Sequence, residues 1–147
     1  EKVIEDNCRF GDPETQVVLP LLETDIMDII EAVWEEKLDT LDIKWSDKSC
    51  ACVVMASGGY PEKYETGKVI NGLDENGQCE GAFVYHAGTK LEDGKFLTAG
   101  GRVLGITAYG DTLQEALDTA YKAVDTISFE KAHYRHDIGK KALSALK

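Results

Sequence analysis

Residues 103–124, VLGITAYGDTLQEALDTAYKAV, contain a strand, a turn and a helix in direct succession. Residues 103–109 are apolar and rich in β-branched and aromatic side chains, which is typical of a strand. Thr112-Leu113-Gln114-Glu115 fits a capping box, in which the threonine hydroxyl and the glutamate carboxylate each accept from the other residue's backbone N–H. Apolar residues then recur at helical spacing as far as Ile127. This stretch predicts a strand that leads into a long amphipathic helix.

Further strands are predicted upstream of this unit. Residues 51–56 (ACVVMA) form a continuous apolar run that ends at a glycine-rich turn, which predicts a strand covered on both faces. Residues 83–86 and 96–98 flank Glu92-Asp93-Gly94, and this turn predicts a hairpin between them. Because the strands come first and the long helix late, we expect an α+β fold, a small antiparallel β-sheet with helices packed on one side.

The two ends of the chain carry weaker signals. Residues 2–8 predict a short strand, and residues 140–146 predict a short helix. Between Thr24 and Leu38, apolar residues at helical spacing predict an amphipathic helix, with acidic residues favourably placed in its first turn. We expect Trp34, which lies in the apolar stripe of that helix, to belong to the core.

Composition excludes several classes of partner. The 147 residues carry 16 basic and 27 acidic side chains, and the net charge of −11 disfavours binding to nucleic acid or anionic membranes. No apolar run approaches the ~18–20 residues of a membrane span. The four cysteines lack CxxC spacing, and no signal segment is recognisable, so we expect a reduced, cytoplasmic protein.

The acidic charge is concentrated near the start of the chain. Residues 1–47 hold 14 acidic and 4 basic residues, whereas residues 48–147 hold 13 and 12. This step predicts a domain boundary near Asp47. The chain begins at Glu1, not Met, inside a predicted strand, and we therefore expect it to be a piece of a longer polypeptide.

Only three arginines occur, and all of them stand beside turn-forming residues. Arg9, Arg102 and Arg135 could each hold a phosphate or carboxylate in the planar fork of the guanidinium group. The alternative for each one is a surface arginine that lies in a loop by chance. Glycine-rich turns at 57–61, 86–89 and 98–102 could add backbone N–H donors, although no dinucleotide fingerprint or phosphate loop is present.

Glu5 and Asn7 are two apart on the predicted first strand, so their side chains share a face. Their oxygen atoms suit a hard cation such as Mg²⁺, and the alternative is a solvated strand edge. His133 and His136 have ligand spacing but no further ligand nearby, so a metal site there is disfavoured. Cys50 and Cys52 share one strand face, which indicates core packing rather than redox chemistry.

Five motifs in order carry a resemblance to a known family. They are Glu5-Asp6-Asn7-Cys8-Arg9-Phe10-Gly11-Asp12-Pro13-Glu14, Ala56-Ser57-Gly58-Gly59-Tyr60-Pro61, His86-Ala87-Gly88-Thr89-Lys90, Gly100-Gly101-Arg102-Val103-Leu104-Gly105 and Tyr134-Arg135-His136-Asp137-Ile138-Gly139. Together they resemble the C-terminal region of the phosphoribosylamine–glycine ligases, also called glycinamide ribonucleotide synthetases, of the ATP-grasp superfamily.

The resemblance implies a ligase that joins glycine to 5-phosphoribosylamine with ATP, through a glycyl phosphate, in purine synthesis. It implies that Glu5 and Asn7 hold Mg²⁺ or Mn²⁺ and that Arg9 lies against the acyl phosphate. Asp12 and Glu14 would orient the amine substrate. Asp6 departs from the aromatic or apolar residue usual between the two metal ligands, which puts the local packing in doubt.

The remaining implied sites lie in the second half of the chain. Arg102 and Arg135 would bind the ribose phosphate or the glycine carboxylate, and the glycine-rich turns, with Gly58, Tyr60 and Gly101, would complete the substrate site. The resemblance also implies that residues 1–47 end an ATP-grasp domain and that residues 48–147 form the small C-terminal domain. Most of the ATP pocket would belong to a missing N-terminal part of the polypeptide, so we expect the fragment alone to be inactive.

Two other functions remain open. The same domain could be a non-catalytic module that binds a phosphorylated sugar or a carboxylate. An ATP-grasp carboxylase is the other possibility, and Arg-Phe-Gly-Asp-Pro-Glu argues against it, because those relatives share the metal-ligand pair but not this continuation.

Overall fold

The computed structural model describes residues 8–145. In chain order, the elements of this range are α1 (Thr15–Val18), α2 (Ile26–Trp34), β1 (Ser49–Ala56), β2 (Phe83–His86), β3 (Thr89–Glu92), β4 (Lys95–Thr98), β5 (Arg102–Gly110), α3 (Leu113–Val124) and α4 (Lys140–Ala145). Short 3-10 turns follow α1 and α2. None of these helices is long and apolar enough to cross a membrane. Except for Cys8, the strand predicted at residues 2–8 lies outside the described residues.

Strand β5 is the centre of a three-stranded antiparallel sheet of order β1-β5-β2. Val103, Leu104 and Ile106 are fully buried, as expected for a strand with neighbours on both edges and cover on both faces. The strand predicted at residues 103–109 is confirmed, with one more residue at each end. The predicted α+β class with a small antiparallel sheet is also confirmed.

Strand β1 begins at Ser49, two residues before the predicted start. Ala51, Val53 and Met55 are buried on one face, whereas Cys52 and Val54 on the other face are half-buried. The prediction of full cover on both faces is therefore correct for one face only.

Helix α3 carries the predicted capping box. Thr112 Oγ1 accepts from the backbone N–H of Glu115 at 3.2 Å, and Glu115 Oε2 accepts from the backbone N–H of Thr112 at 3.3 Å. The apolar stripe of the helix packs on β1 and β5, and it consists of Ala116, Leu117, Ala120, Ala123 and Val124. Ile127 lies beyond the helix end and still belongs to the core. Burial of this stripe fixes the helix to the sheet.

The predicted hairpin has a different first strand. Strand β4 pairs with β3, whereas β2 pairs with β5, so the hairpin joins residues 89–92 and not 83–86 to the turn. The turn itself is as predicted, because Asp93 and Gly94 have φ of 50° and 72°, the pair of positive values that a two-residue hairpin turn requires. Strand β3 contains no apolar run, and its sequence therefore does not predict a strand.

Helices α3 and α4 lie on one side of the sheet, whereas α1 and the residues around it lie on the other face. Leu143 of α4 packs beside Ala51 and Leu117, on the side that α3 covers. On the opposite face, the hydroxyl of Tyr109 donates to the carbonyl of Pro20 at 3.2 Å. Residues 12–20 therefore cover the face of the sheet that α3 and α4 do not cover.

Helix α2 is shorter than predicted. Asp25 caps it through a hydrogen bond of 2.8 Å from the backbone N–H of Met27. The helix ends at Trp34, because the chain turns at Glu36, whose φ is 57°. The prediction that Trp34 belongs to the core is wrong, since it is 88% exposed.

We expect Thr112→Ala to lower the free energy of unfolding by about 1 kcal/mol, because the helix loses its N-cap. Gln114→Ala is the matched control, since it removes an exposed side-chain hydrogen bond to Asp118 one turn away, and we expect a loss of only a few tenths of a kcal/mol, about the size of a surface pair. Urea unfolding measures both. Equal losses would show that the capping box does not stabilise α3.

Candidate functional site

Three glycine-rich turns meet at one end of the sheet. They are residues 57–60 after β1, residues 86–89 between β2 and β3, and residues 98–102 between β4 and β5. Ser57 donates to this cluster twice, from its backbone N–H to the carbonyl of Gly101 and from its hydroxyl to the carbonyl of Gly100, both at 2.8 Å. The backbone N–H of Ala99 donates to the carbonyl of Gly88 at 2.7 Å. We call residues 57–60, 86–89 and 98–102 the three-turn cluster.

Close contacts, one with backbone and one with a side chain, explain two of the glycines. A Cβ at Gly88 would lie 2.5 Å from the carbonyl oxygen of Arg102, and a Cβ at Gly101 would overlap the ring of Tyr60. The structure thus brings the predicted residues Tyr60, Gly101 and Arg102 together. Gly58 faces another neighbour, because a Cβ there would lie 2.5 Å from the Cβ of Lys131.

Arg102 joins the three-turn cluster to the segment that precedes α1. Its Nη1 donates to the backbone carbonyl of Asp12 at 2.9 Å, and its Nη2 lies 3.2 Å from Asp12 Oδ2. The other carboxylate oxygen of Asp12 accepts from Gln16 Nε2 at 3.0 Å. Both side chains of the pair are partly exposed, at 39% and 55%, so the contact is open to a ligand. Two predicted site residues that are 90 positions apart are therefore in direct contact.

Glu14 and Arg9 stand on the same segment with local partners. Glu14 Oε2 accepts from the backbone N–H of Gly11 at 3.1 Å. Arg9 is exposed, and within residues 8–145 its guanidinium donates to the carbonyl of Phe10 at 3.1 Å. Both side chains are exposed and do not contribute to the core.

Arg135 lies apart from the Arg102–Asp12 contact. Its guanidinium pairs with both carboxylate oxygens of Asp137, at 2.9 Å each, and this hydrogen bonding lowers the pKa of Asp137. The backbone carbonyl of Arg135 accepts from the hydroxyl of Tyr121 on α3 at 2.7 Å, on the side of the sheet away from Asp12. No contact in the described part of the chain brings Arg135 to Arg102.

The predicted metal ligands Glu5 and Asn7 lie outside the described residues. Between residues 8 and 145, no group of three or more His, Cys, Asp or Glu side chains is arranged to hold a metal ion. His133 pairs with Ala56 through its backbone, and the His136 ring packs on Tyr134 with centroids 4.6 Å apart.

The cysteines are free thiols, as the sequence predicts. Burial is the main cause that raises the pKa of Cys50, to about 11, and burial also raises the pKa of Cys52. Thiols with such pKa values stay protonated at neutral pH and are poor nucleophiles. Redox chemistry is therefore disfavoured, whereas the prediction of core packing is not borne out, because Cys50 and Cys52 are only half-buried and belong to neither cluster of buried core residues.

A cavity beside Asp12 was not predicted. It has a volume of about 560 Å³ and lies between the segment around α1 and the exposed face of the sheet, with a lining that includes Asp12, Gln16, Leu19, Tyr85, His86 and Tyr109. His86 is held in place there, with Nδ1 2.8 Å from Thr89 Oγ1 and Nε2 2.9 Å from the carbonyl of Gly77. The four-residue spacing of Asp12 and Gln16 was the available signal, whereas Tyr85 and His86 are consecutive in β2 and strand alternation does not predict that both line one cavity.

The arrangement can bind a small ligand with mixed charge. Arg102 offers two donors to an anion at the three-turn cluster, and Asp12 offers a carboxylate to an amine at the adjoining cavity. Arg102 and Asp12 already contact each other. A ligand that carries both an anionic group and an amine could replace this single ion pair with two, one to Arg102 and one to Asp12.

Comparison with known proteins agrees with the motifs. Residues 50–141 match the family model described as "Phosphoribosylglycinamide synthetase, C domain". A phosphoribosylamine–glycine ligase from Caldanaerobacter subterraneus is 55% identical over 137 residues, which cover 93% of this chain and 32% of that protein. The corresponding enzyme of Synechocystis is 52% identical over 97% of this chain and 34% of its own length.

A solved structure shows the same fold. The crystal structure of phosphoribosylamine–glycine ligase from Thermotoga maritima superposes with a TM-score of 0.72 at 34% identity, covering 92% of this chain and 32% of that one. The chain thus spans about a third of the relatives named here. Since the family model matches well over half of the chain, the chain belongs to the phosphoribosylglycinamide synthetase family.

Proposed function

We propose that the chain is the C-terminal part of an ATP-dependent ligase that joins glycine to 5-phosphoribosylamine and forms glycinamide ribonucleotide. The observation that carries this proposal is the contact between Arg102 and Asp12, which unites the Arg-Phe-Gly-Asp-Pro-Glu and Gly-Gly-Arg motifs in one place. The names of the relatives supply the reaction.

In this proposal the residues divide by charge. Arg102 holds the ribose phosphate or the glycine carboxylate, because its planar fork matches an anion that accepts two hydrogen bonds. Asp12 and Glu14 orient the amine that attacks the glycyl phosphate, and Arg9 lies against that acyl phosphate. Arg135 remains the second candidate for the anion, and it would have to exchange Asp137 for the ligand.

We further propose that Glu5 and Asn7 hold Mg²⁺ or Mn²⁺. A carboxylate and an amide oxygen are hard donors of the kind these ions prefer, which is the fit that the residue types offer. When bound, the ion would neutralise charge on the phosphates of the ATP co-substrate.

The rest of the enzyme would precede this chain. Residues 1–47 would complete the ATP-grasp domain, residues 48–147 would form the C-terminal domain, and the N-terminal remainder would supply most of the ATP pocket. The matched relatives are about three times as long as the aligned part, which supports this arrangement. A biosynthetic enzyme for small, soluble substrates would act in the cytoplasm.

We expect the 147-residue chain alone to show no ADP formation that depends on both glycine and phosphoribosylamine, whereas the full-length polypeptide shows it. The physical reason is that the proposed ATP pocket lies largely outside these residues. Turnover by the chain alone would contradict this. If the full-length polypeptide binds glycinamide ribonucleotide without turnover, the function is that of a binding module instead.

We expect Arg102→Lys in the full-length polypeptide to lower kcat/KM about tenfold or more, because a lysine cannot replace the paired, charge-assisted hydrogen bonds of arginine. Arg135→Lys is the matched control, since Arg135 is engaged by Asp137, and we expect a smaller effect. Steady-state kinetics with each substrate varied in turn measure both. A larger loss for Arg135→Lys would transfer the anion site to Arg135.

A further inference from the structure

Gln16 contacts Asp12 but belongs to none of the sites predicted from the sequence. It lies in α1, four residues after Asp12, and its Nε2 donates to Asp12 Oδ1 at 3.0 Å. An ionised carboxylate can only accept hydrogen bonds, so the nitrogen end of the amide has to face Asp12. The amide oxygen of Gln16 therefore faces away from the carboxylate and needs a donor elsewhere.

The structure provides no such donor within residues 8–145. Gln16 Oε1 is buried, and it has no hydrogen-bond partner among these residues. A buried acceptor without a donor destabilises the folded state, because it has lost its hydrogen bonds to water. The rest of the side chain packs on the sheet, since a Cβ added at Gly105 would be 3.9 Å from Gln16 Cγ. An apolar side chain of similar length could make that packing contact without the buried oxygen, so packing alone does not explain Gln16.

A second pair of the same type shows that helix stabilisation does not explain it either. Gln114 Nε2 donates to Asp118 Oδ1 at 2.8 Å across the same four-residue spacing, and both residues of that pair are exposed. Such a pair stabilises a helix only slightly. The bond from Gln16 to Asp12 gives no more than this, whereas the buried Oε1 opposes it. The use of Gln16 must therefore lie in what its N–H does for Asp12.

The two oxygens of the Asp12 carboxylate have different partners. Oδ2 lies 3.2 Å from Arg102 Nη2, and Oδ1 accepts from Gln16. If Arg102 binds the anion of a ligand, as proposed above, Asp12 loses the partner of Oδ2. Among the described side chains, Gln16 then remains as the one that holds the carboxylate. A carboxylate has about four acceptor positions, so the bond from Gln16 leaves room for the amine of a ligand.

We propose that Gln16 is a positioning residue for the amine substrate. Its amide holds the Asp12 carboxylate in the orientation that accepts a hydrogen bond from the attacking amine, including while Arg102 is engaged by the anion. This inference rests on the proposed function, in which Asp12 orients that amine. The position of Gln16 in the lining of the cavity beside Asp12 supports it, because the amide then adjoins the space that the ligand would enter.

Steady-state kinetics of the full-length polypeptide with Gln16→Met test this role. Methionine has a similar length and can keep the packing on Gly105, but it cannot donate a hydrogen bond to Asp12. We expect kcat to fall about tenfold, because Asp12 no longer aligns the attacking amine, and the KM for ATP to stay unchanged. We expect the thermal unfolding midpoint to stay the same or to rise, because the buried acceptor is removed together with the donor.

Gln114→Met is the matched control. It removes the same type of bond, to Asp118, from a helix that packs on the other face of the sheet, and we expect kcat to be unchanged. Gln16→Leu repeats the test with a second apolar side chain and should lower kcat as Gln16→Met does. A full kcat for Gln16→Met, or a kcat that falls only together with the unfolding midpoint, would overturn the proposal.

The outcomes also separate this inference from the proposed function. If the parent polypeptide forms ADP that depends on both glycine and phosphoribosylamine, and Gln16→Met has the same kcat, the function stands and the role of Gln16 is overturned. If the parent polypeptide shows no such activity, the proposed function fails, and the role of Gln16 fails with it. A lower kcat with an unchanged midpoint and an unchanged KM for ATP supports both.

Discussion

Strand β5 has to be covered on both faces and paired on both edges, and the arrangement of the other elements follows from this constraint. Val103, Leu104 and Ile106 are fully buried, and β1 and β2 satisfy the backbone on either side. Helix α3 covers one face, and residues 12–20 contribute to the cover of the other. Because Arg102 is the first residue of β5, the strand that organises the core also places the side chain that we propose to bind the anion.

The contact between Arg102 and Asp12 connects fold and function. A partly exposed ion pair contributes little stability, so the pair alone does not hold residues 12–20 on the sheet. Other contacts hold this segment on the sheet. The Tyr109 hydroxyl donates a hydrogen bond to the Pro20 carbonyl, and Gln16 lies so close to Gly105 that a Cβ added at Gly105 would be 3.9 Å from its Cγ. The ion pair is therefore not required to hold this segment, which is consistent with the proposal that a ligand replaces one of its two partners.

Local signals explain what could be predicted from the sequence. The strands at β1 and β5 and the capped helix α3 have strong periodicity or cap residues of their own. The sequence does not predict the first strand of the hairpin, because β3 is short and polar and is recognisable only by its pairing with β4. The prediction that Trp34 belongs to the core fails because helical spacing shows which residues share a face, but not whether anything covers that face. The contact between Arg102 and Asp12 depends on the tertiary fold. The motifs in the sequence therefore identify candidate residues of the site but do not predict which of them lie together.

We propose that Arg102 and Asp12 together form the substrate site of a ligase. The decisive experiment is a crystal structure of the full-length polypeptide with glycinamide ribonucleotide bound. We expect an anionic oxygen of the ligand within hydrogen-bonding distance, ~3 Å, of the Arg102 guanidinium, with Asp12 beside the amide that the reaction forms. A ligand bound by Arg135 alone, with the contact between Arg102 and Asp12 unchanged and remote from it, would rule out this site.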